Sequence, residues 1–251
     1  MNQISLKQSF DEDGFIFVEG FKNAVDIDDI NSNLRRVIET VVPDLPPQQV
    51  FYEDKSDANS LKQIQKLNDH DPYFGNLMSK GPFRDLAESL LESQVTCENM
   101  QYFNKPPGIG KPTPAHQDGY YFKLEPCEAI TMWMALEPVD EDNGCVRYVK
   151  GSHKHGMRPH GSTGTLGFSQ GIVHFPNAHD VAHEIAFPAQ PGDLLAHHAL
   201  TIHRADGNRS KTRTRRALGL IYYSVNAKQD VHAWERYQAN LTKELKASGK
   251  I

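Results

Sequence analysis

The chain has 251 residues, 38% of them hydrophobic and 24% charged, with a formal net charge of −5 and a mean hydropathy of −0.58. That length fits one large domain or two small ones; no stretch approaches the roughly 18 apolar residues of a membrane helix, and the acidic balance argues against general nucleic-acid affinity. Three widely spaced cysteines without a CxxC pair, and an amino terminus with neither a basic start nor an apolar run, suggest a reducing, cytoplasmic setting.

In chain order, Ser5–Phe10 reads as the start of a helix and Phe15–Val18 as an apolar strand. Asp26 to Val42 carries Ile27, Ile30, Leu34, Val37 and Ile38 at helical spacing, with Asp26 or Asp28 as the expected N-cap. Phe83–Leu91 forms a second amphipathic helix. From about residue 95 the character changes to short β-rich runs at 100–103, 130–136, 145–149, 193–197 and 217–223, separated by turn clusters such as Pro106-Pro107-Gly108 and Asp142-Asn143-Gly144. Trp234–Leu245 returns to helical character. The expected organisation is a single domain over 1–251. A helical N-terminal portion (about 1–95) precedes an antiparallel sandwich or barrel (about 96–225), and a helix at about 230–247 closes the chain.

Twelve histidines call for an explanation, and His116-Gln117-Asp118 begins to supply one. In extended backbone, residues i and i+2 face the same side, so His116 and Asp118 can offer an imidazole nitrogen and a carboxylate oxygen to one metal ion. A third ligand from elsewhere would complete a two-histidine, one-carboxylate face with open positions for a cosubstrate and O2, the arrangement suited to non-haem iron(II). Downstream, Pro191-Gly192-Asp193 feeds an apolar strand ending at His197-His198, with His203 just beyond it. Twelve residues later, Arg215 opens another strand. Alternation sets it beside the small Ala217 and Gly219 and sets Arg216 beside Leu218 and Leu220, which favours Arg215 for gripping a carboxylate bidentately.

Taken together, Lys105-Pro106-Pro107-Gly108, His116-Gln117-Asp118, Trp133–Leu136, Asn143-Gly144, Gly151-Ser152-His153, Pro191-Gly192-Asp193 and His203…Asn208…Ser210…Arg215-Arg216-Ala217 closely resemble the phytanoyl-CoA dioxygenase family, in order and spacing, from about residue 8 to 225. The resemblance implies a mainly β protein with flanking α-helices and a double-stranded β-helix (jelly-roll) core. It implies an iron(II)- and 2-oxoglutarate-dependent dioxygenase that uses O2, hydroxylates a C–H bond, and releases succinate and CO2. His116, Asp118 and His203 would bind iron and Arg215 the distal carboxylate of 2-oxoglutarate. Lys105 and Gln101 lie on the strand where relatives line the cosubstrate pocket. Ala205 departs from the serine often found two residues after the distal histidine. Asp118 argues against halogenation, since halogenating relatives carry a small residue there.

Two further groups are substrate-binding candidates. Tyr120 and Tyr121 follow the metal motif and can wall a pocket. Lys150 and His153, in a locally basic loop, can meet an anion. The expected substrate is a small polar or anionic metabolite, a phosphonate such as 2-aminoethylphosphonate among the options. Alternatives are an acyl-CoA or secondary metabolite as substrate, a non-catalytic jelly-roll sensor of metal and 2-oxoglutarate, or a cupin-like isomerase or hydrolase. The oligomeric state is not legible.

Overall fold

In the computed structural model, residues 3–165 and 167–247 are described. The first third of the chain runs α1 (Gln3–Asp13), β1 (Phe15–Val18), α2 (Ala24–Thr40), β2 (Val50–Tyr52), β3 (Leu61–Ile64), α3 (Leu67–His70), α4 (Pro72–Ser79) and α5 (Pro82–Leu91). Then come β4 (Val95–Asn104), β5 (Thr113–His116), α6 (Gly119–Phe122), β6 (Leu124–Glu125), β7 (Ala129–Ala135) and β8 (Val146–Val149). An excursion of β9 (His160–Thr165), β10 (Phe168–Ile172) and α7 (Ala178–His183) precedes β11 (Glu184–Phe187), β12 (Leu194–His198), β13 (His203–Ala205), β14 (Arg216–Ser224), β15 (Lys228–Gln229) and α8 (Val231–Ala247).

The strands form a seven-stranded major sheet in the order β1-β12-β7-β14-β4-β3-β2 and a four-stranded minor sheet in the order β11-β8-β13-β5. Two-residue periodicity sorts the major sheet's side chains. Met100, Tyr102, Ile130, Met132, Met134, Leu194, Ala196, Leu218, Leu220 and Tyr222 join Ile27, Ile30, Leu34, Val37, Phe74 and Phe83 of the helices in one core. On the other face Trp133, Ala135, Leu195 and Ala217 pack with Val146 and Tyr148 of the minor sheet. The N-terminal helices therefore cover one side of the major sheet, and the minor sheet and the site lie on the other.

α2 shows how local sequence sets this layer. Ile27, Ile30, Leu34 and Val37 recur at helical spacing and are buried, each contributing roughly 1.5–3 kcal/mol by leaving water. The helix starts earlier than expected: Asn23, not Asp26 or Asp28, is the N-cap, its Oδ1 accepting from the Asp26 N–H at 3.0 Å. β1 is the strand expected at Phe15–Val18, but the N-terminal portion is otherwise less helical than expected, because β2 and β3 also belong to the major sheet. The strands β2 and β3 are three and four residues long. Within β3, Lys62 and Gln63 are buried, so no alternating apolar pattern marks it. Among the described residues no helix is long and apolar enough to cross a membrane.

Candidate functional site

Cross-strand register assembles the site. In the minor sheet, His116 on β5 pairs with His203 on β13, which pairs with Tyr148 on β8. In the major sheet, Phe15 on β1 pairs with His197 on β12, His197 with Thr131 on β7, and Thr131 with Ile221 on β14. Asp118 sits among His116, His197, His203 and Thr131. Its backbone has already turned toward α6 (φ −59°, ψ −34°), so the strand-like spacing expected for His116 and Asp118 does not persist through residue 118. What holds the turn is the buried Gln117: its Nε2 donates to the carbonyls of Gly156 and Leu200, and its Oε1 accepts from the Arg158 N–H.

His116, Asp118 and His203 offer one ligand atom each, all within 4.8 Å of one another. His116 Nδ1 is 2.8 Å from the Pro114 carbonyl and His203 Nδ1 is 3.1 Å from the Thr201 carbonyl. Each Nδ1 therefore carries the hydrogen, and each Nε2 presents a lone pair. Those two Nε2 atoms lie 3.3 and 3.6 Å from Asp118 Oδ1, near the roughly 3 Å expected between adjacent donors about 2.1 Å from a common ion. Burial alone would raise the Asp118 carboxyl. His203, His116 and His197 around it outweigh that and hold it well below the usual carboxylate range. Burial, with the His116 and His197 imidazoles crowded beside it, keeps His203 well below the usual imidazole range. Both are thus in the deprotonated forms that a metal takes. Two imidazoles and one carboxylate on one side of an ion suit iron(II) and leave the other side open.

These residues open into a cavity of about 480 Å³, within the range of small-molecule sites. Arg215 lines it and is only 4% exposed. No hydrogen bond or ion pair is made by its guanidinium among the described residues, and Nε is a buried donor without a partner. The group lies over the Trp133 ring, 5.5 Å from its centroid. Burial lowers it to about 10, so it stays cationic at neutral pH. Arg216 faces the other way, with Nε donating to Glu137 Oε2 at 2.9 Å. The Asn208…Ser210 segment sets this arrangement: Asn208 Nδ2 donates to the carbonyls of Lys105 and Arg213, and Lys105 and Arg215 exchange backbone hydrogen bonds.

The other expected site residues divide. Tyr121 lines the cavity, its ring 5.7 Å from that of His116 and its hydroxyl donating to the Gln170 carbonyl. Gln101 lines it too and accepts from Gln63 Nε2. Lys105 reaches the lining, but its ammonium donates to the carbonyls of Lys111, Ala205 and Asp206, bracing the two chain segments. Tyr120 stacks on His160 behind the wall, at 4.3 Å. Lys150 and His153 are not brought to the cavity: Lys150 pairs with Asp13 and His153 bonds the Asp11 carbonyl. The basic loop docks α1 instead of an anion.

Thr131, Tyr148, Trp133 and α8 were not assigned to the site from sequence. Thr131 had a legible signal, since it is the one hydroxyl in Ala129–Ala135 and shares a face with Trp133. The helix α8 contributes Trp234, Tyr237, Gln238, Leu241 and Thr242 to the cavity wall. Its amphipathic pattern is readable, but what it covers is not.

The family profile of phytanoyl-CoA dioxygenase matches residues 10–217. The peroxisomal phytanoyl-CoA dioxygenase of Bos taurus is 26% identical over 257 residues, covering 97% of this chain and 75% of its own. Phytanoyl-CoA dioxygenase 1 of Oryza sativa subsp. japonica is 28% identical over 184 residues, covering 68% and 63%. Among solved structures, the epimerase SnoN, in complex with Fe3+, alpha ketoglutarate and nogalamycin RO, superposes with a TM-score of 0.73 at 20% identity, covering 90% of this chain and 85% of its own. EctD from S. alaskensis with bound Fe superposes with a TM-score of 0.72 at 20% identity, covering 88% and 76%. The shared fold is the jelly-roll core.

Proposed function

The chain belongs to the phytanoyl-CoA dioxygenase family, and on that premise we propose that it is an iron(II)- and 2-oxoglutarate-dependent oxygenase that hydroxylates a C–H bond of a small molecule. His116, Asp118 and His203 hold the metal in this reading, and Arg215 takes the distal carboxylate of 2-oxoglutarate. The observation that carries it is the buried, unpaired guanidinium of Arg215 in the same cavity as the three-donor cluster. A buried charge without a partner is costly, so this site is complementary to an anion. Thr131, which bonds Asp118, and Trp133, which lies against Arg215, share one face of β7 two residues apart, about 7 Å. A short dicarboxylate spans that interval, with one end at the metal and the other at the arginine.

When bound, iron(II) and 2-oxoglutarate supply the oxidising power: one atom of O2 goes into succinate as CO2 leaves, and the other into the substrate C–H bond. The protein's own groups bind, orient and exclude. The Pro114 and Thr201 carbonyls fix the two imidazoles. Arg215, steadied by Trp133, fixes the far end of the cosubstrate. Tyr121, Phe122, Ile221 and Tyr223, with Trp234 and Tyr237 of α8, wall the remaining space and keep water from it.

That wall also bears on the substrate. Apart from Arg215, the cations along the cavity already have partners, among them Lys62 with Glu53, Lys66 with the Glu98 carbonyl, and Arg204 with Glu184 and Asp206. With Lys150 and His153 engaged elsewhere, a phosphonate would compete with 2-oxoglutarate for Arg215. The lining favours a small molecule with an apolar body and uncharged polar groups, met by aromatic rings and by Gln101, Gln229 and Gln238. The test is succinate formation by the iron(II)-loaded protein with 2-oxoglutarate and a panel of neutral, zwitterionic and phosphonate compounds, with product oxygen traced from 18O2. Stimulation by a neutral polar member, with one labelled oxygen in its product, is expected. Stimulation by phosphonates alone would overturn the substrate class. Tight binding of 2-oxoglutarate without turnover under any condition would favour a sensor.

A further inference from the structure

We infer that Tyr148 and His197 are positioning residues that, with Thr131, hold Asp118 as a one-oxygen ligand and thereby set how tightly the triad binds its metal. The inference rests on the metal-binding reading above and concerns side chains outside the triad. Asp118 divides its two oxygens. Oδ1 faces His116 and His203, while Oδ2 accepts from the Thr131 hydroxyl at 2.6 Å and from His197 Nε2 at 3.1 Å. His197 has a partner at its other nitrogen as well, since Nδ1 accepts from the Tyr148 hydroxyl at 2.9 Å. These bonds fix the tautomer, with the hydrogen on Nε2 and directed at the carboxylate.

The chain ends in rigid packing. Tyr148 is fully buried, stacked on Phe15 at 4.8 Å and edge-on to Phe187 at 5.7 Å. Phe15 is in turn the cross-strand partner of His197, so one aromatic cluster fixes both members of the pair. A carboxylate with both oxygens open can chelate and take two positions on an ion. Two donors on Oδ2 leave Oδ1 as the ligand atom and preserve the open side that a bidentate cosubstrate and O2 need. The same bonds explain why His197, whose ring centroid is only 4.2 Å from that of His203, stands beside the triad without joining it: neither nitrogen has a lone pair to offer.

Cobalt(II) titration of the metal-free protein, followed by calorimetry and by the visible ligand-field spectrum, tests this without turnover. The variants are His197→Phe, His197→Gln, Tyr148→Phe and Asp118→Ala, each checked for an unchanged metal-free melting temperature. His197→Phe should weaken cobalt binding about 10- to 100-fold, the usual effect of losing a partner of a metal ligand. His197→Gln, which keeps an N–H donor, should recover most of that loss. Tyr148→Phe keeps the ring stack and should weaken binding severalfold with an altered spectrum. Cobalt binding to all His197 and Tyr148 variants within twofold of the parent, while Asp118→Ala loses it, would overturn the positioning role and leave the metal site standing. A loss in His197→Phe that glutamine does not rescue, with Tyr148→Phe silent, would also overturn it, because packing alone would then account for the effect. Equal binding by the parent and Asp118→Ala would instead sink the metal-site reading itself.

Discussion

Arg215 and Arg216 are adjacent in sequence and opposed in environment. Arg216 turns to the helix-covered side of the major sheet, where Glu137 accepts from both its backbone N–H and its Nε. Arg215 turns into the cavity, 4% exposed, with a buried Nε that has no partner. Replacing Arg215 by Met should raise the 2-oxoglutarate dissociation constant of the manganese-loaded protein about 100-fold, as expected for losing a bidentate charge-assisted contact worth roughly 3 kcal/mol. Arg216→Ala should leave that constant within twofold. Calorimetry on the two variants checks both, and the reverse pattern would reassign the anchor.

Gly219 faces the cavity with Gln101 and Trp133 as its cross-strand partners, and a Cβ there would lie 2.6 Å from the ring of the diagonal neighbour Phe103. Phe103 lines the same cavity, so a ring pushed aside by a larger side chain takes up space there. Gly219→Val should therefore cost at least tenfold in 2-oxoglutarate affinity while the protein remains folded. Unchanged affinity would mean that Phe103 has another place to go.

Leu34 tests the opposite face. It is 1% exposed on α2, in the core between helices and major sheet. Leu34→Ala should cost about 3 kcal/mol of stability and lower the melting temperature by on the order of 10 °C. At temperatures where the variant is folded, its 2-oxoglutarate affinity should match the parent's, since this core is separated from the cavity by the sheet.

Two further histidines make stability depend on pH. Burial, with His153 and His197 nearby, pulls His198 down to about 4; burial does the same for His160. Both are neutral in the folded protein over a range where the unfolded chain, with imidazoles near 6.5, binds protons. Their contribution is therefore complete above about pH 6.5 and is lost as pH falls toward 4. His198→Asn keeps an acceptor for the Leu200 N–H and removes the titration. Its melting temperature should fall less between pH 7 and 4.5 than the parent's, and parallel curves would contradict the assignment.

Much of this was legible in the chain because the relevant signals are local. The spacing of Ile27, Ile30, Leu34 and Val37 marks the helix, and the alternation along 215–222 sets Arg215 and Arg216 on opposite faces, as they lie in the structure. His116-Gln117-Asp118 lies within three residues, so the pair is readable as a motif, although the turn that brings the two side chains together is held by Gly156, Arg158 and Leu200 from far along the chain. The parts that escaped depend on register between distant strands. Nothing near His197 in sequence reveals that it faces Thr131 on one side and receives the Tyr148 hydroxyl on the other. Lys105 looks like a ligand contact because its charge is visible, while the three carbonyls that hold it come from residues 111, 205 and 206. The basic stretch around Lys150 and His153 is basic in composition, yet α1 supplies its partners from the far end of the chain.

The central claim is that the triad and Arg215 act together in an oxygenase. The most direct test is to load the protein anaerobically with iron(II) and 2-oxoglutarate, admit O2, and measure succinate beside Asp118→Ala and Arg215→Met. The parent should form succinate slowly even without substrate, Asp118→Ala none, and Arg215→Met only at much higher 2-oxoglutarate. Equal succinate from all three proteins, or 2-oxoglutarate binding that neither substitution affects, would contradict it.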